Sequence, residues 1–194
     1  MPEAELRLFV AIDLPAALKD KLVAITERLR LPGYDAVRWV RPGSFHITIK
    51  FLGETPTSRI PTIEQAIAAL AARQRRFDLT IGGLGFFPSG ANANHIYVGI
   101  SGDLAALSNL HRAAETAFAK LGYAPENKSF KPHITLGRLR KEATREQHDA
   151  AVQRALALHL ATLGSFTADG LRLMRSTLAL GGSIYEEMQF APFQ

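Results

Sequence analysis

Cysteine is absent from this chain of 194 residues. Its absence excludes disulfides, thiolate nucleophiles and cysteine-ligated metals, and it is consistent with a reducing compartment. No apolar run reaches the about 20 residues that a membrane-spanning helix needs. The N-terminus also lacks the basic segment and short apolar run of a secretion signal. We therefore expect a cytoplasmic protein that does not associate with membranes.

Metal-binding motifs are lacking as well. A zinc or two-metal hydrolase needs three or more converging histidine or carboxylate ligands, and the chain has no His-Glu-x-x-His or similar spacing. The stretch Gly82-Gly83-Leu84-Gly85 lacks the Lys-Ser/Thr pair of a phosphate-binding loop, so a turn or bulge in a strand accounts for it better. The sequence thus predicts neither a metal nor another cofactor.

Long runs of like charge and Pro/Ser-rich linkers are missing too, which favours one domain over residues 1–194 rather than two separate ones. A hydrophobic content of 47% is enough for a sizeable core. The formal net charge of +5 favours an anionic partner such as RNA, because a net field steers oppositely charged molecules.

The hydrophobic pattern predicts strands and helices in an order close to βαβαβ, repeated twice. Pro15 is expected to open the first helix, Pro32-Gly33 to end it, and Ser58 to cap the second. The predicted strands are 6–13, a strand around each motif described next, one beginning at Phe77, then 95–100, 165–174 and 184–190; further helices are expected near 104–121 and 142–160.

A four-residue pattern occurs twice, as His46-Ile47-Thr48-Ile49 and as His133-Ile134-Thr135-Leu136. In a strand, residues i and i+2 point to the same face, so His and Thr share one face and the apolar residues, with Phe51, point to the other. The duplication is typical of an internal repeat of a half-domain. We therefore expect two pseudo-symmetric lobes of sheet with outer helices, and a V-shaped cleft with one motif on each wall.

Two imidazoles with ordinary pKa values near about 6.5 can divide acid and base duties at neutral pH. In-line displacement at phosphorus puts the attacking and leaving oxygens on opposite sides, which suits one histidine on each wall. The threonine hydroxyls of the two motifs can hold non-bridging phosphate oxygens. The pair of motifs therefore predicts a metal-independent site for a phosphate ester.

The chain resembles the RNA 2',3'-cyclic phosphodiesterases, also called 2'-5' RNA ligases, of the two-histidine phosphoesterase superfamily. Beyond the two motifs, the resemblance rests on three stretches and a pair near the end: Arg7-Leu8-Phe9-Val10-Ala11-Ile12-Asp13-Leu14-Pro15, Trp39-Val40-Arg41-Pro42, Leu173-Met174-Arg175-Ser176 and Tyr185-Glu186. It also includes Phe130-Lys131-Pro132 before the second motif and Gly137-Arg138 after it.

The resemblance implies a role for each matched residue. His46 would be the general acid that protonates the leaving ribose oxygen, and His133 the base that activates water. Thr48, Thr135 and Arg138 would bind the phosphate, a task for which the guanidinium fork is well suited. The substrate would be RNA with a 2',3'-cyclic phosphate end, including tRNA fragments or small nucleotide cyclic phosphates, and the protein would be a monomer.

Several neighbouring residues allow a structural as well as a functional interpretation. By strand alternation Lys50 shares the face of His46 and could add positive potential there. A lysine whose stem is buried and whose ammonium reaches water is the simpler interpretation. Phe9 and Phe87 are candidates for stacking a nucleobase, although core packing is the more common use of phenylalanine. His95 stands where the family often carries an arginine. This difference leaves open whether this position contacts substrate at the rim of the cleft. The other histidines are expected to be structural, namely His111, His148 and His159.

Two further hypotheses stay open at this point. The same site run in reverse, with a 5'-hydroxyl RNA end in place of water, would make 2'-5' RNA ligation or cleavage the main activity. A non-catalytic RNA or nucleotide binder would keep the cleft and the basic charge but would lack the pH optimum of two titrating imidazoles.

Overall fold

The computed structural model describes residues 3–30, 36–88, 93–179 and 182–194. This part of the chain forms nine strands and four α-helices. In chain order they are β1 (Glu5–Asp13), α1 (Ala16–Leu29), β2 (Val37–Trp39), β3 (His46–Pro56), α2 (Ile60–Ala71), β4 (Phe77–Phe87), β5 (His95–Gly102), α3 (Leu104–Lys120), β6 (His133–Leu139), α4 (Arg145–Ala157), β7 (Thr162–Ala168), β8 (Gly170–Ala179) and β9 (Gly182–Pro192).

The strands form two sheets. The four-stranded sheet has the order β3-β1-β8-β9 and the five-stranded sheet the order β2-β6-β5-β4-β7, and the strand pairs in both are antiparallel. The expected α+β fold with two lobes of sheet is confirmed. The lobes are not successive halves of the chain, because β2 and β4 join the five-stranded sheet while β8 and β9 complete the four-stranded one.

Helices cover the apolar faces of the sheets. Helices α2 and α3 pack on the four-stranded sheet, α2 on β8 and β9 and α3 on β3, and helix α1 packs on β7 of the five-stranded sheet. The expected apolar stripe of α1 is buried at Leu18, Leu22, Ile25 and Leu29. Because one face of each sheet is covered in this way, the opposite face is left for polar side chains.

Helix boundaries follow the capping residues. Helix α4 is shorter than the predicted 142–160 because Thr144 and Gln147 form a capping box, in which each side chain accepts a hydrogen bond from the other residue's backbone N–H. The prediction that Ser58 caps α2 is wrong. Ser58 lies in a 3-10 turn before the helix, and its backbone N–H donates to Glu3 instead.

One strand was not predicted, and two further predictions differ from the structure or fall outside it. The strand β2 was not predicted, since three residues are too few for a period. The predicted strand 165–174 is two strands in different sheets, which separate at Asp169. The predicted helix end at Pro32-Gly33 lies outside the described residues.

Among the described residues, no helix is both long and apolar enough to cross a membrane.

Candidate active site

The two histidine motifs lie on different sheets. His46 begins β3 in the four-stranded sheet, and His133 begins β6 in the five-stranded sheet. Strands β3 and β6 contact each other, and charge on His133 lowers the pKa of His46. Both histidines therefore face one shared space, which we call the cleft, and the expectation of one motif on each wall is confirmed.

A bulge in β3 decides which side chains face the cleft on the first wall. Thr48 lies opposite Ala11 and Lys50 lies opposite Val10, so Ile49 falls between the two pairs. After such a bulge the alternation of faces shifts by one residue. Ile49 and Lys50 are consequently both buried, and Phe51 is 54% exposed.

Two predictions on this wall are therefore wrong. Lys50 neither faces the cleft nor reaches solvent, because its side chain is 1% exposed and pairs with Glu115. Phe51 does not point into the core with Ile47. It lies opposite Phe9, and the two ring centroids are 5.9 Å apart.

The second wall contains an equivalent bulge. Thr135 lies opposite Tyr97 and Gly137 lies opposite Ile96, so Leu136 falls between the two pairs. Arg138 lies opposite His95 and is exposed. Strict alternation would have put Arg138 on the buried face, and the bulge returns it to the face of His133 and Thr135.

The bulges make the two walls correspond residue by residue. Each bulge begins directly after the motif threonine. The third residue after that threonine then faces the cleft, which is Phe51 after Thr48 and Arg138 after Thr135. Phe51 on one wall therefore occupies the position that Arg138 occupies on the other. This correspondence supports the predicted internal repeat.

His46 is held by its neighbours in one orientation. Its Nδ1 donates to the Ser44 carbonyl at 2.8 Å, and its Nε2 lies 3.1 Å from Thr48 Oγ1. Since the carbonyl can only accept, Nδ1 carries the hydrogen, and Nε2 of the neutral ring accepts from the Thr48 hydroxyl. Phe9 and Tyr185 pack on the imidazole, with centroid distances of 4.8 and 5.1 Å.

Burial lowers the pKa of His46 to about 4. The Ser44 carbonyl and the Asp13 carboxylate oppose this shift, and the positive charges of Lys19 and His133 add to it. Asp13 is itself paired with Lys19 at 2.7 Å, which offsets its effect on the imidazole. His46 is consequently neutral at pH 7 in the free protein.

His133 is held at Nδ1 and by two aromatic rings in the same way on the other wall. Its Nδ1 lies 2.7 Å from the Lys131 carbonyl, and Phe87 and Tyr97 contact its ring edge-on at 4.9 and 5.5 Å. In both motifs the carbonyl two residues upstream holds Nδ1. Both histidines therefore have Nε2 as the nitrogen available for proton transfer.

Gly85 makes room for the aromatic support of His133. A Cβ atom at this position would lie 2.3 Å from Cζ of Tyr97. The absence of a side chain lets Tyr97 stack on Phe87 at 4.2 Å while it contacts His133. The glycine-rich stretch is a bulged part of β4, as predicted, with Gly83 at a φ of 72°.

The two phenylalanines predicted as candidates for stacking a nucleobase both pack against other rings. Phe9 is 2% exposed and packs against His46, so it supports the imidazole and is not free to stack on a nucleobase. Phe87 is half-buried and stacked on Tyr97. Three aromatic residues beside the histidines were not predicted as site residues, namely Phe51, Tyr97 and Tyr185. Only Tyr185 had a signal in the sequence, since it lies in a stretch that resembles the family.

The remaining histidines differ in location. His95 lies on the cleft face beside Arg138, whereas His111 stacks on Phe130 at 4.0 Å and His148 donates to the Arg140 carbonyl at 2.7 Å. His159 is exposed after α4. Within the described ranges, no group of three or more His, Asp or Glu side chains could hold a metal ion.

Comparison with known proteins gives the same family for most of the chain. The family model of the 2'-5' RNA ligase superfamily matches residues 18–179. An RNA 2',3'-cyclic phosphodiesterase from Methanothermobacter thermautotrophicus is 29% identical over 186 residues, which cover 95% of this chain and 97% of that protein. The RNA 2',3'-cyclic phosphodiesterase of Escherichia coli is 32% identical over 139 residues, 71% of this chain and 74% of the relative.

Solved structures agree on the fold. A crystal structure of a Thermus thermophilus protein has a TM-score of 0.80 at 25% identity and covers 96% of this chain and 97% of its own. E. coli LigT in complex with 3'-AMP has a TM-score of 0.73 at 26% identity and covers 98% and 99%. With both histidine motifs in place and a family match over most of its length, the chain belongs to the 2'-5' RNA ligase superfamily.

Proposed function

We propose that this protein is an RNA 2',3'-cyclic phosphodiesterase that hydrolyses a cyclic phosphate at an RNA end to a 2'-phosphomonoester. The single observation that carries the proposal is the pair of walls, each of which directs one imidazole Nε2 into the cleft from a separate sheet. The names of the relatives support the same activity.

His133 is the base in this mechanism and His46 the acid. Nε2 of His133 takes a proton from water as the water oxygen attacks phosphorus, and the bond to the ribose 3'-oxygen breaks on the opposite side. Nε2 of His46 gives its proton to that oxygen. His133 is then protonated and His46 is neutral, and proton exchange with solvent restores the starting state.

The acid role requires His46 to gain a proton when substrate binds. In the free protein its Nε2 is unprotonated because burial lowers the pKa of His46 to about 4. A phosphodiester anion beside the ring favours the imidazolium and raises this pKa. The Thr48 hydroxyl, which donates to the neutral ring, is then released to donate to a phosphate oxygen.

Charge on the phosphate is held by three other groups. Arg138 lies on the cleft face beyond Thr135, where its guanidinium fork can bind two non-bridging oxygens. Thr48 and Thr135 supply one hydroxyl from each wall. Donors fixed in this way stabilise the charge that develops in the transition state. The chemistry needs only water and these side chains, so we propose that no cofactor takes part.

The substrate is RNA in this proposal, with tRNA fragments as one source, and the protein acts as a monomer. Ligation is the second candidate function, since the family is named for 2'-5' RNA ligation. In that reaction, the 5'-hydroxyl of a second RNA replaces water as the group that His133 deprotonates, and its attack on phosphorus again expels the ribose 3'-oxygen. The same residues serve both attacking groups.

The test is turnover of an RNA oligomer with a 2',3'-cyclic phosphate end in the presence of EDTA. We expect hydrolysis to a 2'-phosphate by the wild type, and a fall of at least about 10²-fold in His46→Ala and in His133→Ala. His159→Ala is the control, because His159 is exposed and outside the cleft. An inert wild type would leave a binding protein as the better explanation, and full activity in either cleft variant would refute the mechanism.

A further inference from the structure

A row of side chains crosses the five-stranded sheet beside the phosphate site. Arg38 of β2 lies opposite Arg138 of β6, Arg138 lies opposite His95 of β5, and His95 lies opposite Phe87 of β4. Residues that are directly opposite in a sheet share a face. All four therefore lie on the cleft face, the face that bears His133.

The two arginines stand side by side and point outward. Both are exposed, whereas Val37 and Leu139 beside them are buried. Like charges directly opposite each other destabilise a strand pair. In the part of the chain that the structure describes, neither arginine has an ion pair with an acidic side chain. The pair is thus an unneutralised cationic site that an anion would stabilise.

His95 does not add a fixed charge to this pair. Burial and the charges of Arg138 and His133 lower the pKa of His95, which favours its neutral form. The cationic end of the row is therefore formed by Arg138 and Arg38. This cationic end lies at the edge of the sheet, because β2 is the edge strand and β6 is its neighbour.

The order of the two arginines across the sheet matches the order of two successive phosphates in an RNA chain. Neighbouring strands lie about 4.8 Å apart, so Arg38 is one strand further than Arg138 from the rest of the site. Arg138 is already assigned to the cyclic phosphate. In an RNA chain, the next phosphate lies on the 5' side of the same terminal ribose, and a mononucleoside cyclic phosphate lacks it.

We propose that Arg38 binds the 5'-phosphodiester of the terminal nucleotide and forms a second phosphate subsite. This inference rests on the proposed function and specifies its substrate class. The site selects RNA ends, or nucleotides that carry a 5'-phosphate, over nucleoside 2',3'-cyclic phosphates. Arg38 is a substrate-binding residue in this scheme and takes no part in proton transfer.

The test compares adenosine 2',3'-cyclic phosphate with and without a 5'-phosphate. The wild type is expected to have a lower KM for the 5'-phosphorylated substrate by about tenfold, the value of one charge-assisted contact. Arg38→Gln should abolish that preference through KM, with kcat within twofold on both substrates. Arg38→Lys should keep part of it, because the charge remains without the bidentate fork.

Salt provides an independent readout on a single-stranded RNA oligomer. Loss of one phosphate contact should reduce the slope of log kcat/KM against log salt by about 0.7. Arg145→Gln is the matched control, because Arg145 is an exposed arginine on α4 that also carries one charge. It should leave both the slope and the substrate preference at their wild-type values.

The outcomes separate the two proposals. If the wild type hydrolyses none of these substrates, the proposed function fails. If the wild type is active but Arg38→Gln keeps the preference for the 5'-phosphate, Arg38 only protects an edge strand, as charged residues often do, and the inference is wrong. An equal loss on both substrates would also overturn it, since Arg38 would then act on the cyclic phosphate itself.

Discussion

Lys50 Nζ lies 2.8 Å from Glu115 Oε1, in an ion pair whose lysine side chain is 1% exposed. The same ammonium donates to the Ala124 carbonyl at 2.7 Å, and Glu115 Oε2 accepts from the backbone N–H of Glu126 at 3.0 Å. The pair therefore joins β3, which carries His46, to α3 and to the segment that leads into β6.

Removal of Lys50 should destabilise the protein strongly. Lys50→Met leaves the partly buried Glu115 carboxylate without its cation, and loss of one member of such a pair costs about 3–5 kcal/mol. Lys50→Met/Glu115→Leu should recover part of that loss, because no unpaired charge remains. The measurement is the free energy of unfolding by chemical denaturation.

Arg145→Met is the matched control for Lys50, since the side chains of Arg145 and its partner Asp149 are 88% and 62% exposed. It should change the free energy of unfolding by no more than about 0.5 kcal/mol. A comparably small effect of Lys50→Met would show that the buried pair does not hold the two motif-bearing segments together.

The lowered pKa of His46 predicts a pH dependence of stability. Its folded pKa of about 4 lies below the unfolded value near 6.5. As pH falls from about 6.5 to 4, the unfolded chain binds a proton at this histidine and the folded protein does not. The free energy of unfolding should therefore fall across this window, by about 3 kcal/mol at most from His46.

His46→Gln should remove this part of the pH dependence. His95 and His111 contribute in the same direction, because their pKa values are also lowered, so the comparison must be made between variants. The measurement is chemical denaturation of the wild type, His46→Gln and the control His159→Gln at pH 7 and pH 4.5. It gives the change in the free energy of unfolding between the two pH values for each protein. Equal slopes for all three proteins would contradict the low pKa of His46.

Gly85→Ala should impair catalysis through Tyr97. The added methyl group overlaps the Tyr97 ring, which must move away from its contact with His133. We expect kcat to fall by at least about tenfold, since small displacements of catalytic groups are costly. In a Tyr97→Ala background the same substitution should have little effect, and equal effects in both backgrounds would disprove this coupling.

Phe51 should contribute to substrate binding, because its exposed ring on the cleft face can stack on a nucleobase. Phe51→Ala should raise KM by about tenfold, in line with about 1–3 kcal/mol per stacked base, and Phe51→Trp should restore it. Leu156→Ala is a control, since Leu156 is also 54% exposed but lies on α4, away from the cleft face of the sheets. An unchanged KM in Phe51→Ala would exclude stacking at this ring.

Much of the fold and of the site could be predicted from the sequence. Strand β1, helix α1 and helix α3 were predicted because their apolar periods are long and regular. The face shared by His46 and Thr48 followed from strand alternation alone. The residues assigned to the phosphate came from the family resemblance, and their roles stay predictions.

Other features depend on contacts between distant parts of the chain. Val37–Trp39 is a strand because it pairs with β6, and three residues carry no period that would reveal it. The lobes exchange β2, β4, β8 and β9 because pairing partners are chosen by the packing of whole sheets. No local pattern records that choice.

The sequence by itself determined that two His-x-Thr strands exist and which of their faces is polar, because the alternation of side chains is local. Only the tertiary structure decided where that alternation breaks. Each bulge is set by the register with a neighbouring strand, so Lys50 is buried while Phe51 and Arg138 face the cleft. A one-residue shift in register reverses every face beyond it, and register depends on the partner strand.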